Sequence, residues 1–229
     1  MSVIIDERAR PDTSEDELRA LIAHPDFPCV GAKSAMARGG LRILTCAALT
    51  SGWDDVRIHR TLMDWAATYR RDPGDFVSLA LVFDGPCHLD EPAFQQALWL
   101  RIQSFADKDH WLGLPYDHRV SPDPDDPHFA LSFGGAAFFV VGLHPHASRP
   151  ASRAPRPTLV FNLHDQFERL RAEGRYERLR DRIVARDVAL AGSANPMLSA
   201  HGETSAARQY SGRQVSDDWR CPFRDPRAS

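Results

Sequence analysis

With 229 residues, 43% of them apolar and 26% charged, the chain holds enough hydrocarbon for one sizeable core and too much to be disordered. A net charge of −3 gives no basis for binding nucleic acid or an anionic membrane surface, and no apolar run reaches the ~20 residues of a membrane-spanning helix. One domain is expected over 15–229, behind a flexible polar segment at 1–14.

In chain order, Ser14-Glu15-Asp16-Glu17 opens a short helix through Ala23, with Ser14 as its N-cap. His24-Pro25-Asp26-Phe27-Pro28 breaks it, and residues 29–40 read as a loop or short helix. The apolar run Leu41–Leu49 fits a strand. Val56, Leu62, Trp65, Ala66 and Tyr69 recur at helical spacing over 54–69. Phe76–Phe83 is a continuous apolar strand ended by Asp84-Gly85-Pro86. A helix follows from Pro92 to about Asp107, with Phe94, Leu98, Ile102 and Phe105 on one face. Residues 115–128, rich in Asp, Pro and His, read as an exposed loop. Phe129–Phe133 and Ala137–Leu143 form a hairpin across Gly134-Gly135, and Thr158–Asn162 is a further strand. A helical stretch runs over 166–190, interrupted at Gly174, and one helical turn is expected near 204–208. Helices, then strands, then helices again predict an α+β fold with a mainly antiparallel sheet.

Cys29, Cys46, Cys87 and Cys221 show no metal-ligand spacing, and no leader pattern opens the chain, so a cytoplasmic protein with reduced thiols is expected. Neither GxGxxG nor a Walker sequence is present, which removes the common phosphate loops. Ser-His-Asp hydrolysis lacks its G-x-S-x-G elbow. The basic residues are distributed unevenly. From Arg149 to the end there are 15 Arg, no Lys and 10 acidic residues. Arg of that kind suits carboxylate binding through its planar fork, although an arginine-rich codon bias explains the same numbers.

Two of the ten histidines stand apart. His144 and His164 each follow directly on an apolar strand, where loops gather and sites form. Imidazole at such a position serves as a metal or haem ligand or moves protons, and equally as a core histidine satisfied by a carbonyl. Arg149 and Arg153 follow His144 in a Pro-rich loop that cannot be a helix, and are candidate clamps for two carboxylates. Cys29, in the turn Phe27-Pro-Cys-Val-Gly-Ala-Lys33, is a further candidate ligand or a small buried thiol. Near the C-terminus, Trp219-Arg-Cys-Pro-Phe223 is too apolar for a free tail, so the segment is expected to fold back. That makes Arg208, Gln209, Tyr210 and Arg213 candidate pocket donors.

Six separated blocks carry a resemblance: Phe27-Pro-Cys-Val-Gly-Ala-Lys; Val140-Val-Gly-Leu-His-Pro with Ser148-Arg; Phe161-Asn-Leu-His-Asp-Gln-Phe; Asn195-Pro-Met-Leu; Ala207-Arg-Gln-Tyr-Ser-Gly-Arg; and Trp219-Arg-Cys-Pro-Phe. Together, over about residues 27–223, they are similar to the YqcI/YcgG family. The resemblance implies a protein that binds b-type haem through one axial side chain and uses O₂ or a peroxide to hydroxylate a guanidino or amino nitrogen of an arginine-like small molecule. On that implication His144 is the first candidate for the iron, then His164, then Cys29. Arg149 and Arg153 face the propionates. Arg208, Arg213 and Glu203 hold the substrate, Tyr210 and Gln209 donate hydrogen bonds near the reacting atoms, and Asn162 is a further candidate catalytic residue. Where the family carries Glu before the Ala-Arg-Gln-Tyr block this chain has Ala206, and its nearest carboxylate is Glu203, one helical turn earlier. An electron donor and self-association are compatible with this reading. The alternatives are a haem carrier or sensor without turnover, with both axial positions filled by protein, and a cofactor-free binder of a carboxylate ligand.

Overall fold

The computed structural model describes residues 13–197 and 203–228. The expected flexible segment at 1–14 therefore lies outside the described residues except for its last two, which open the first helix; His201 also lies outside. In chain order the elements are α1 (Thr13–Ala23), α2 (Val30–Ala37), β1 (Leu41–Ala48), α3 (Asp55–Arg71), β2 (Ser78–Gly85), α4 (Glu91–Trp111), β3 (Leu131–Phe133), β4 (Ala136–Leu143), β5 (Thr158–Leu163), α5 (His164–Ala172) and α6 (Tyr176–Ala191). The α+β expectation holds. One five-stranded sheet has the order β1-β2-β5-β4-β3, with β1 and β2 parallel and the other three pairings antiparallel.

Local chemistry accounts for the boundaries. Asp90 caps α4 by accepting from the Ala93 amide at 2.9 Å, and Pro92 follows at a position whose N–H needs no partner. Gly134 and Gly135 both take positive φ, as a two-residue hairpin turn requires. The turn is pinned from α4, since Asp109 accepts from the Gly134 amide at 2.9 Å. The segment expected as an exposed loop departs from that reading at Asp117, which is buried. Its carboxylate accepts from the Ala137 amide at 3.0 Å and from Arg119 at 2.7 Å, and its own amide donates to Ser132 Oγ at 2.9 Å. Satisfying the backbone of a hairpin outweighs the polarity that suggested exposure.

The two faces of the sheet are covered differently. On the first, α3 and α4 pack an aromatic core that includes Phe94, Phe105, Phe133, Phe138 and Phe161, several of them in edge-to-face contact. The C-terminal segment folds back onto this face as expected. Phe223 stacks on Trp99 with ring centroids 6.0 Å apart, and Trp219 lies 6.5 Å from the same ring. Arg227 completes the clasp, pairing with buried Asp109 at 2.7 Å, while His59 Nε2 lies 2.6 Å from the other oxygen of that carboxylate. On the second face α1 and α2 cover β1 and β2 through Leu18, Ile22 and Ala35. Over β4 and β5 lie α5, in contact with both strands, and α6, and the space beneath α6 is not filled.

Candidate functional site

That space is a cavity of about 410 Å³, within the size range of small-molecule and cofactor sites. Its floor is the second face of the sheet, where the period-2 alternation of β2, β4 and β5 presents Ser78, Phe139, Val141, Val160 and Asn162. Its roof is the apolar stripe Leu179, Ile183 and Val184 of α6. Since α6 buries only Asp187 fully, its hydrocarbon faces the hole and not a packed core.

Ion pairs and carbonyl bonds hold the roof. Buried Asp187 pairs with Arg149, whose Nε lies 3.0 Å from Oδ1 and whose Nη2 also donates to Ser193 O at 2.9 Å. Arg186 donates to the Phe27 carbonyl at 3.1 Å and to that of Pro25, tying α6 to the turn before Cys29. At the other end Asp75 receives Arg169 at 2.9 Å and Arg175 at 3.0 Å.

Cys29 and His164 both line the cavity. Cys29 is the N-cap of α2, and its sulphur accepts from the Ala32 amide at 3.4 Å. Burial pushes its thiol pKa up while the amide contacts pull the other way. His164 opens α5 and does not sit in a loop after the strand. Its Nε2 lies 3.6 Å from Glu168 one turn on, and 21% of its side chain is exposed. Arg171 and Arg180 add positive charge to the wall. Arg171 is bound to Glu168 and lies over the Tyr176 ring at 4.3 Å. Arg180 makes no hydrogen bond or ion pair with any described residue. Gln209 lines the cavity too, whereas Glu203 is exposed.

The other residues singled out in the sequence face elsewhere. His144 is 1% exposed, but its ring stacks on Phe94 of α4 with centroids 4.3 Å apart, on the aromatic face. Neither ring nitrogen has a partner among the described residues, and burial lowers its pKa. Arg149 is spent on Asp187, and Arg153 on the carbonyls of Ala147 (2.8 Å) and Ser148 (3.2 Å). Tyr210 is wholly buried on the aromatic face, where its carbonyl accepts from the Gly142 amide at 2.6 Å and its hydroxyl approaches Phe138 O at 3.4 Å. Arg208 binds the carbonyls of Ser216 and Trp219, and Arg213 binds Gln95 Oε1 at 2.9 Å. Of the three candidate ligands, then, the fold brings His164 and Cys29 to one cavity and leaves His144 on the opposite side of the sheet.

The model for the YqcI/YcgG family matches residues 18–224. The chain belongs to that family. No curated protein and no solved structure matches it. The family match covers nearly the whole chain, including every wall of the cavity. In this YqcI/YcgG protein, sequence reasoning passed over Arg180 and Ser78. Arg180 lies four residues after Tyr176 and next to Leu179, so the helical period placed it beside the apolar stripe. The many Glu, Asp and Arg of that helix mark a solvated face, and Arg180 is indistinguishable from them by residue type. Ser78 shares a parity with Ala80 on the second face of β2, but an unbroken apolar run hides which face is which.

Proposed function

We propose that the chain is a haem-dependent N-oxygenase acting on a guanidino or amino nitrogen of an arginine-like small molecule, with the cavity under α6 as its haem pocket. The observation that carries the reading is the donor set. A half-buried sulphur and an imidazole line one apolar cavity, and a guanidinium with no partner among the described residues lies in its wall. Those residues fit a haem, which asks for hydrocarbon around the ring, one axial ligand and cations for its carboxylates. Haem would supply the iron at which O₂ or a peroxide is activated; the O₂ route also needs an electron donor.

The protein's contribution is binding, orientation and exclusion of water. Cys29 is the favoured iron ligand. Its N-cap position gives a thiolate the Ala32 amide as hydrogen-bond donor, and loss of the proton to a metal offsets the burial that otherwise keeps the thiol neutral. Arg180 neutralises a carboxylate, and His164 holds or moves a proton at its Nε2 next to Glu168. The apolar roof keeps bulk water from the reacting nitrogen. Free thiols and the lack of any helix long and apolar enough to cross a membrane, among the described residues, accord with a cytoplasmic setting.

The test is the absorption spectrum of the purified protein, with haem quantified as its pyridine haemochrome. Wild type should carry haem with the strongly red-shifted ferrous–CO band of thiolate ligation. Cys29→Ser should lose that band and His144→Ala should keep it. A Cys29→Ser protein with an unchanged spectrum removes Cys29 as the ligand, and a wild type that stays colourless after expression with ample haem removes the haem reading. The presence of two donors in one cavity supports a second reading, a haem sensor with Cys29 and His164 both on the iron. Low-spin iron that resists cyanide even on long incubation would favour it.

A further inference from the structure

The floor of the cavity carries a polar pair where packing alone calls for hydrocarbon. Ser78 and Asn162 sit opposite one another in the register of β2 and β5, the second and third strands of the five, and Phe139 of β4 lies on the other side of Asn162. The next row on the same face is Ala80, Val160 and Val141. Asn is poorly suited to a central strand, where a β-branched residue fits the pleat better. Its amide is also only half used. Ser78 Oγ donates to Asn162 Oδ1 at 2.7 Å, which fixes the side chain. Nδ2 has one contact, the Val160 carbonyl at 3.5 Å, the outer limit of a hydrogen bond. Gln166 lines the same cavity and behaves differently: its Oε1 and Nε2 each make a 3.0 Å bond to the backbone of Val77. Gln166 is structural, whereas Asn162 presents an oriented and unspent N–H in an apolar site. A donor left largely unmade in a half-buried apolar site carries a cost, and a bound acceptor removes it.

We propose that Asn162 is the specificity-determining residue of the cavity. Its Nδ2 donates to an oxygen acceptor (a ketone, amide or carboxylate oxygen) on the small molecule held there, and Ser78 is the positioning residue that fixes the amide. The inference rests on the cavity and its floor, not on haem, and applies to whatever ligand occupies the space beside Asn162.

The experiment is calorimetric titration of the haem-free full-length chain with two cage molecules of one shape, 2-adamantanone and 2-methylideneadamantane, which differ in carrying C=O or C=CH₂. Wild type should bind the ketone about tenfold more tightly, the ratio one net hydrogen bond gives. Asn162→Leu should bind both equally, and Ser78→Ala should show a reduced preference because the amide is no longer held. The Ser78→Ala arm carries the test if Asn162→Leu does not fold. Equal binding of the two molecules by wild type overturns the proposal, as does a preference that survives in both variants, or binding of neither molecule. The haem reading is judged separately by the haemochrome, so either can fail while the other stands.

Discussion

The two faces of one strand, β5, do opposite jobs. Leu159, Phe161 and Leu163 point into the aromatic core and are at most 1% exposed, while Val160 and Asn162, between them, border a cavity of about 410 Å³. Gly142 on neighbouring β4 measures how tightly the first face is filled. A Cβ there would meet Tyr210 O at 2.8 Å and side-chain carbons of Leu98 and Phe94 at 2.9 Å each. Close packing on one side is what permits a hole on the other. A cavity forfeits dispersion contacts along its whole lining, so the free energy that holds the sheet together has to come from the face under α3 and α4. The α6 roof is fastened by charges and carbonyl bonds instead, which hold a helix in position without filling the space below it.

The contrast is broken most directly on β5 itself. Phe161→Ala should cost about 3–5 kcal/mol, the range for truncating a buried aromatic ring, whereas Val160→Ala, facing the hole, should cost about 1 kcal/mol or less because few contacts are lost. Urea midpoints of the two variants measure the difference, and similar losses would mean that the faces are packed alike. Asp187→Ala comes next, at about 3 kcal/mol, since it strands the Arg149 guanidinium in a site where both side chains are largely buried. Its effect should concentrate in the roof: by hydrogen exchange, amides of α6 should open faster while those of α4 keep their protection. Uniform acceleration across both helices would show that α6 belongs to the core. Gly142→Ala should cost about 1–3 kcal/mol from overpacking, against a neutral or stabilising Val141→Leu, which adds hydrocarbon to empty space. If the Gly142 variant were as stable as wild type, the aromatic face would have more slack than the Cβ distances allow.

The same contrast decides what could be read from the sequence. The aromatic face was legible because its positions follow simple periods: Phe94, Leu98, Ile102 and Phe105 on one helix stripe, and the Gly134-Gly135 hairpin with its forced positive φ. The family was legible from six short blocks in order. The cavity was not, because Val160 and Val141 look the same in a sequence whether a neighbour fills the space above them or not. His144 and His164 end similar strands, and the side each faces depends on strand parity relative to a core that the chain does not announce. Gly142 before His144 and Asn162 before His164 differ in that respect. The glycine marks a close approach of Tyr210 on the core face, and the asparagine marks a polar position on the hollow one. Arg149 is expected to clamp the carboxylate of a ligand, whereas in the fold it binds Asp187, 38 residues further on, and no local pattern connects the two.

His144 supplies the smallest and most specific test of the comparison, because it is a titratable group held on the packed face with no partner for either nitrogen among the described residues. Burial lowers its pKa from the ordinary 6.5, and nearby His146 acts in the same direction. Glu91 and Asp90 at the start of α4 oppose the shift without cancelling it. Below pH 6.5 the unfolded chain therefore binds a proton at this position more readily than the folded chain does. Folding stability then rises with pH across the window beneath 6.5 and is lost as pH falls through it, the sign that linkage requires when the unfolded state holds more protons. His144→Phe keeps a ring against Phe94 and removes the titration. Unfolding free energies from urea at pH 7.5 and pH 5.0 should fall less in the variant than in wild type. Parallel losses would mean that the imidazole is protonated as easily in the fold as outside it. In that case His144 faces water or a ligand, and the packed face is open at the very point where its glycine suggests it is tightest.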